Sequence, residues 1–168
     1  MKKNFAIFIL LALLIATNIH HLKPLYPIAV EKLPARISCK ILTDLTEGTN
    51  PEIVQDALFR LGSFPSCNAD SKIIEKLGHH DANVRHNALN ALNHLGKSSL
   101  VVKETAQIIN DQCEEIFVQD SAIDLIKKVE SESDKTKAIT ALESFIEHTK
   151  YENYISEVER IISELKSN

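Results

Sequence analysis

Three segments of this chain carry one apolar pattern at nearly constant spacing, and few folds accept such a sequence. Residues 50–61, NPEIVQDALFRL, align with residues 81–92, DANVRHNALNAL, at an offset of 31; residues 115–126, EIFVQDSAIDLI, follow 34 further on. Ile53, Val84 and Val118 then share a position, as do Ala57, Ala88 and Ala122, Leu58, Leu89 and Ile123, and Leu61, Leu92 and Ile126. Between the copies lie other amphipathic stretches, KIIEKL, SSLVVKETAQIIN and DKTKAITALESFIEHT, so each unit reads helix A, turn, helix B. In helix A of the second unit, Val84, Ala88, Ala91, Leu92 and Leu95 recur at three- and four-residue steps and build a single apolar stripe. One hairpin cannot bury that stripe by itself. Stacked hairpins can, which is why a pattern of this kind calls for several units and two caps.

Composition agrees with an all-α fold. Leu, Ile, Ala, Glu and Lys dominate, glycine numbers four and tryptophan is absent. Asn50, Pro51 and Glu52 form a strong helix start, Asp81 and Ser133 can cap in the same way, and Gly48, Gly62, Gly78 and Gly96 each fall just past an apolar run, where a left-handed terminating residue is expected. The units are therefore placed at 50–79, 80–112 and 113–149 within a domain spanning 34–165. ARISCKILTDLTE, residues 35–47, serves as the first cap. Residues 150–165 serve as the last, with Tyr151, Tyr154, Ile155, Val158, Ile161, Ile162 and Leu165 on one face.

The amino terminus reads as an address. Lys2 and Lys3 precede twelve uninterrupted apolar residues, Phe5 to Ala16, the layout of an export signal. The run is short for a spanning helix, which favours cleavage; Leu14 sits where a small residue is preferred before a cut at Ala16, which favours an uncleaved anchor. Residues 1–22 are thus a signal peptide or signal-anchor. Pro24, Pro27 and Pro34 make residues 23–33 an extended connector. Both readings put the domain in an extracytoplasmic location, periplasmic or secreted, or held at a membrane by residues 5–19.

The stretch D-x-x-V-R-x-x-A-L-x-A-L-x-x-L-G, carried by Asp81, Val84, Arg85, Ala88, Leu89, Leu92 and Gly96, resembles the first helix of a HEAT-like repeat. The resemblance extends over residues 34–165 and departs from the family pattern in the neighbouring units. There the Asp position holds Asn50 or Glu115 and the Arg position holds Val54 or Gln119, so the family's polar Asp/Arg ladder is incomplete. Ankyrin's T-P-L-H turn and the tetratricopeptide Trp are absent. The resemblance implies a right-handed α-solenoid of about three helical hairpins with capping helices, acting as a non-enzymatic scaffold for a protein partner.

The polar residues offer little chemistry. Asn83, His86, Asn87, Asn90, Asn93 and His94 fall on the side of helix A opposite Val84, Ala88 and Leu92, which reads as a solvated face. His86 and His94 are about 12 Å apart along a helix, too far for one ion, and the His-Glu dipeptides of the HEAT-type metal hydroxylases do not occur. His79, His80 and Asp81 are closer together and leave one alternative open, a metal- or ligand-responsive turn; the competing reading is a solvated turn entering a helix. His148, near the end of a predicted helix, suits the carboxyl end electrostatically. No nucleophile elbow, phosphate loop or paired-carboxylate motif is present, so no enzyme and no cofactor are expected.

Formal net charge is -4, and Glu104 to Glu164 holds fifteen acidic against six basic residues, so a basic nucleic-acid footprint is missing. The candidate partner contacts are the polar positions of the first two B helices: Lys72, Glu75, Lys76, Lys103, Glu104, Gln107, Asn110 and Asp111. In a stack of hairpins the A-to-B turns line one edge and the B-to-A turns the other. Cys67 lies in an A-to-B turn, and a first cap in a B-like position brings Cys39 to that edge. A Cys39–Cys67 disulfide with Cys113 free is expected, contributing about 3 kcal/mol in the chain-entropy account. Three reduced, packed thiols are the other reading.

Overall fold

The computed structural model describes residues 34–167, and every regular element in that range is helical. The proposed signal or anchor at 1–22 and the connector at 23–33 lie outside the described residues. The α-helices are α1 Ala35–Leu45, α2 Pro51–Gly62, α3 Asp70–Glu75, α4 Ala82–His94, α5 Val102–Asn110, α6 Ile116–Ile126, α7 Glu132–His148 and α8 Glu152–Ser167. Single 3₁₀ turns occupy Pro65–Cys67, Lys76–Gly78 and Ser98–Leu100. None of the described helices is long and apolar enough to cross a membrane.

The helix starts follow local chemistry. Asn50 accepts from the Glu52 amide with Pro51 at the first helical position, and Asp81 accepts from the amides of Asn83 and Val84. The start of α7 corrects the sequence reading: Ser131, not Ser133, is the cap. Its hydroxyl accepts from the Asp134 amide at 3.1 Å and donates to that carboxylate at 2.8 Å, which moves the helix two residues towards the amino terminus. The glycine expectation also needs correcting. Only Gly96 takes the left-handed conformation, at φ 66°. Gly62 is instead a packing residue: a Cβ there would lie 2.8 Å from the Ala91 Cα, so its bare backbone is what lets α2 and α4 approach. Asn68, at φ 48°, supplies the left-handed step in the turn from α2 to α3.

The helices that occupy the A position touch in chain order, α2 on α4 and α4 on α6. Among the others, α5 packs on α6 and α7, α1 on α2, α3 on α4, and α7 on α8. One buried cluster runs from Leu42 in α1 to Leu165 in α8, so the helices share a continuous core. Val84, Ala88, Leu89 and Leu92, and likewise Val118, Ala122, Ile123 and Ile126, are buried in it. The first copy differs by one position. Val54 is fully buried whereas Ile53 is only partly so, because the stripe of α2 passes through Val54, Ala57, Leu58 and Leu61.

Candidate partner-binding surface

The eight polar positions expected to meet a partner divide by helix. On α3 and in the 3₁₀ turn that follows it, the cations are already engaged. Lys72 pairs with Glu47 at 2.9 Å and Glu75 at 3.2 Å, and the largely buried Lys76 pairs with the same two carboxylates at 3.4 and 3.5 Å. The hydrogen bond from Lys72 is the main cause that holds the Glu47 carboxyl below its ordinary range, with the charge of Lys76 helping. These contacts tie α3 back to the turn that follows α1. Lys72, Glu75 and Lys76 form a structural cluster in the unbound chain.

On α5 the situation is reversed. Lys103, Glu104 and Gln107 form no side-chain hydrogen bond or ion pair among the described residues, although all three reach the surface. They line an open groove of about 720 Å³ between α5 and the start of α7, together with Leu100, Asn110 and Lys137. Leu100 is 58% exposed at one end of the groove. Lys137 pairs with Asp134 at 3.1 Å, and the Ser131 hydroxyl followed by Lys137 keeps the Asp134 carboxyl below its usual value. The remaining two candidates do structural work. Asn110 donates to the carbonyls of Ala106 and Ala141, bracing α5 against α7, and Asp111 accepts from the Cys113 amide in the following turn. Sequence reasoning missed Leu100 and Lys137. Leu100 is a lone apolar residue in a polar turn, a readable signal; Lys137 joins the groove only because α7 packs on α5.

The Arg position of the repeat turns out to be a tie between units. Arg85 donates to the carbonyls of His79 and His80 at 2.6 and 3.0 Å, and its guanidinium grips Glu114 of the next unit at 2.5 and 2.7 Å. Gln119, at the equivalent place in α6, donates to the carbonyls of Ile109 and Asp111 at 3.0 and 2.9 Å. Both side chains hold the preceding turn against a helix start, with different chemistry. The Glu114 carboxylate is 5% exposed, so the pairing takes place almost out of water.

The histidines are placed differently from the solvated face that periodicity suggests. His86 lies in the α4–α6 contact, its ring edge-on to Phe117 at 5.5 Å, with Nδ1 2.7 Å from the Ser121 hydroxyl and Nε2 2.9 Å from the Asn90 amide nitrogen. This corrects the assignment of His86 to the wet side; α6 covers more of α4 than the apolar stripe alone. Asn93 likewise accepts from Lys128, 35 residues on, and only part of that face meets solvent. His79 and His80 stack at 4.2 Å, His79 Nδ1 accepts from the Asp81 amide at 3.0 Å, and the Asp81 carboxylate caps α4. Burial, then the positive charge of His80 and Lys76, lowers the His79 pKa. Among the described residues no three His, Cys, Asp or Glu side chains come together as a metal site. His148 ends α7, its Nδ1 2.9 Å from the Ser144 carbonyl.

A disulfide joins Cys39 of α1 to Cys67 of the first A-to-B turn, with Cα atoms 5.1 Å apart, while Cys113 is free and exposed. No protein-family model and no curated protein matches the chain.

Proposed function

We propose that this chain is a non-enzymatic, exported interaction module: a short right-handed α-solenoid of HEAT-like hairpins that holds a protein partner on its B-helix side. Helix-A neighbours in chain order and a core shared by all units support the solenoid reading. The export reading draws on the lysine-led apolar run at 5–16 and on the disulfide, which suits an oxidising compartment. The observation that carries the functional reading is the row of unengaged polar groups on α5. Lys103, Glu104 and Gln107 stand beside exposed Leu100 over an open groove, so a partner can bind there without breaking an internal ion pair.

Photo-crosslinking tests it. A crosslinker at Gln107 of the full chain in its native envelope should trap one defined protein, lost when Lys103→Glu and Glu104→Lys are introduced. A crosslinker at Lys72, whose surroundings are internally paired, should not trap it. Capture of the same set of proteins at both positions, or none at Gln107, would remove this reading.

A further inference from the structure

The two edges of the hairpin stack differ in polarity and charge. The A-to-B turns are neighbours along one edge: Lys97 in the second turn pairs with Asp70 at 2.8 Å beside the first, and Ser98 donates to the Lys128 carbonyl in the third at 3.1 Å. The B-to-A turns form the other edge, tied by Arg85 and Glu114. That second edge carries Glu47, Asp81, Asp111, Glu114 and Glu115 against Lys76, Arg85 and Lys150; Glu47 and Glu114 are paired there, and a net acidic balance remains.

Five large apolar side chains are exposed among the described residues, and three of them gather at the first edge. Phe59 is in the last turn of α2, Phe64 in the turn that follows, and Leu100 in the next A-to-B turn; they are 61%, 37% and 58% exposed. The other two, Phe117 and Tyr151, each pack against a second ring, His86 or Tyr154. Exposed Arg36 and Lys128 belong to the same edge as the apolar trio; Lys128 donates to Asn93, and exposed Glu130 lies two residues beyond it. Apolar side chains flanked by cations are the chemistry that enters the headgroup region of a bilayer.

Chain direction points to the same occupant. The Cys39–Cys67 bridge fixes the beginning of α1 at the A-to-B edge, so the 33 preceding residues, which include the apolar run from Phe5 to Ala16, join the domain there. The acidic edge faces away from that junction.

We propose that the A-to-B edge rests on a bilayer with anionic headgroups, with Phe59, Phe64 and Leu100 inserted shallowly and Arg36 and Lys128 at headgroup level. Leu100 borders both surfaces, so in this orientation the bilayer takes Leu100 and the α5 groove offers Lys103, Glu104 and Gln107 to a protein.

The chain has no tryptophan, so one introduced ring reports its own position. Full-length protein carrying Leu100→Trp is incorporated in vesicles of phosphatidylcholine with phosphatidylglycerol, with lipids brominated on the upper acyl chain as quencher. Emission from Leu100→Trp should be quenched at least about threefold more than emission from Phe117→Trp at the opposite edge, as interfacial insertion requires. Reversing Arg36 and Lys128 together to Glu should reduce that quenching at least about twofold, while anionic lipid is present. Equal quenching at the two edges, absence of quenching at Leu100 in protein that is vesicle-bound, or quenching indifferent to the charge reversal would overturn the proposal. Trapping of a partner at Gln107 is read separately, so either result can fail alone.

Discussion

The segments that begin with α2 and with α4 follow one apolar pattern and are held in place by different means. At the repeat's Arg position α2 carries Val54, fully buried, whereas α4 carries Arg85, which binds two carbonyls and a buried carboxylate. The α2–α3 segment is closed against α1 by a disulfide and by Lys72 and Lys76 on Glu47; the α4–α5 segment has neither, and α5 keeps Lys103, Glu104 and Gln107 unengaged. Cross-links to α1 gather at one end of the described residues, and the unengaged polar groups of α5 lie in the middle. A repeat fixes where side chains point, and residue choice then decides whether a position serves cohesion or recognition.

The largest expected effect breaks the covalent side of that contrast. Cys67→Ser opens a loop whose ends are 28 residues apart and should cost about 3.5 kcal/mol in the chain-entropy account, read as a lower urea midpoint than in the oxidised chain. The loss of protection in hydrogen exchange should be greatest in α1 and α3 and least in α7. The polar side is broken by Arg85→Ala, which strands a buried Glu114 carboxylate and should destabilise by about 3 kcal/mol. Adding Glu114→Gln to Arg85→Gln should recover most of that loss, since Gln119 performs the carbonyl contacts without a charge in the next unit. Should the double variant be as unstable as Arg85→Ala, the tie depends on charge itself.

A third substitution probes the contact between α2 and α4. Gly62→Ala places a methyl against the Ala91 backbone and should cost about 1–3 kcal/mol, measured by denaturant midpoint; a neutral result would mean α2 and α4 can separate at little cost. Asp81→Ala removes the cap of α4 and should cost about 1 kcal/mol, with Asp81→Asn close to neutral.

The smallest effect is a pH dependence at the junction. The folded pKa of His79 is lowered, so the unfolded chain takes up the proton first. Stability from this group is therefore complete above the unfolded value of about 6.5 and is lost as pH falls towards the folded value. Comparing urea midpoints of the parent and His79→Asn from pH 7.5 to 5.5 should show a shallower acid decline in the variant.

Much of the fold was readable beforehand because helix spacing is a local property. The apolar positions of α4 and α6, the starts at Pro51 and Ala82, and the left-handed Gly96 follow from three- and four-residue steps and from capping chemistry within a few residues. The site was readable only in part. Lys72 and Lys103 are both lysines on short amphipathic B helices; Glu75, three residues past Lys72, is a partner readable in the sequence, whereas Glu47 reaches Lys72 only because the turn after α1 folds back on α3. His86 was misplaced for the same reason: whether a polar position faces water depends on the neighbouring helix that covers it.

The sequence by itself determined helices, their order and their buried stripe, since these arise from backbone preferences and periodicity along a single chain. Tertiary structure alone decided that Gly62 admits Ala91, that Arg85 reaches Glu114, and that Phe59, Phe64 and Leu100 remain uncovered on one edge. Those outcomes depend on how far apart two helices settle and which side chains meet across the gap. That distance is set by the packing of both partners together and is written in neither segment alone.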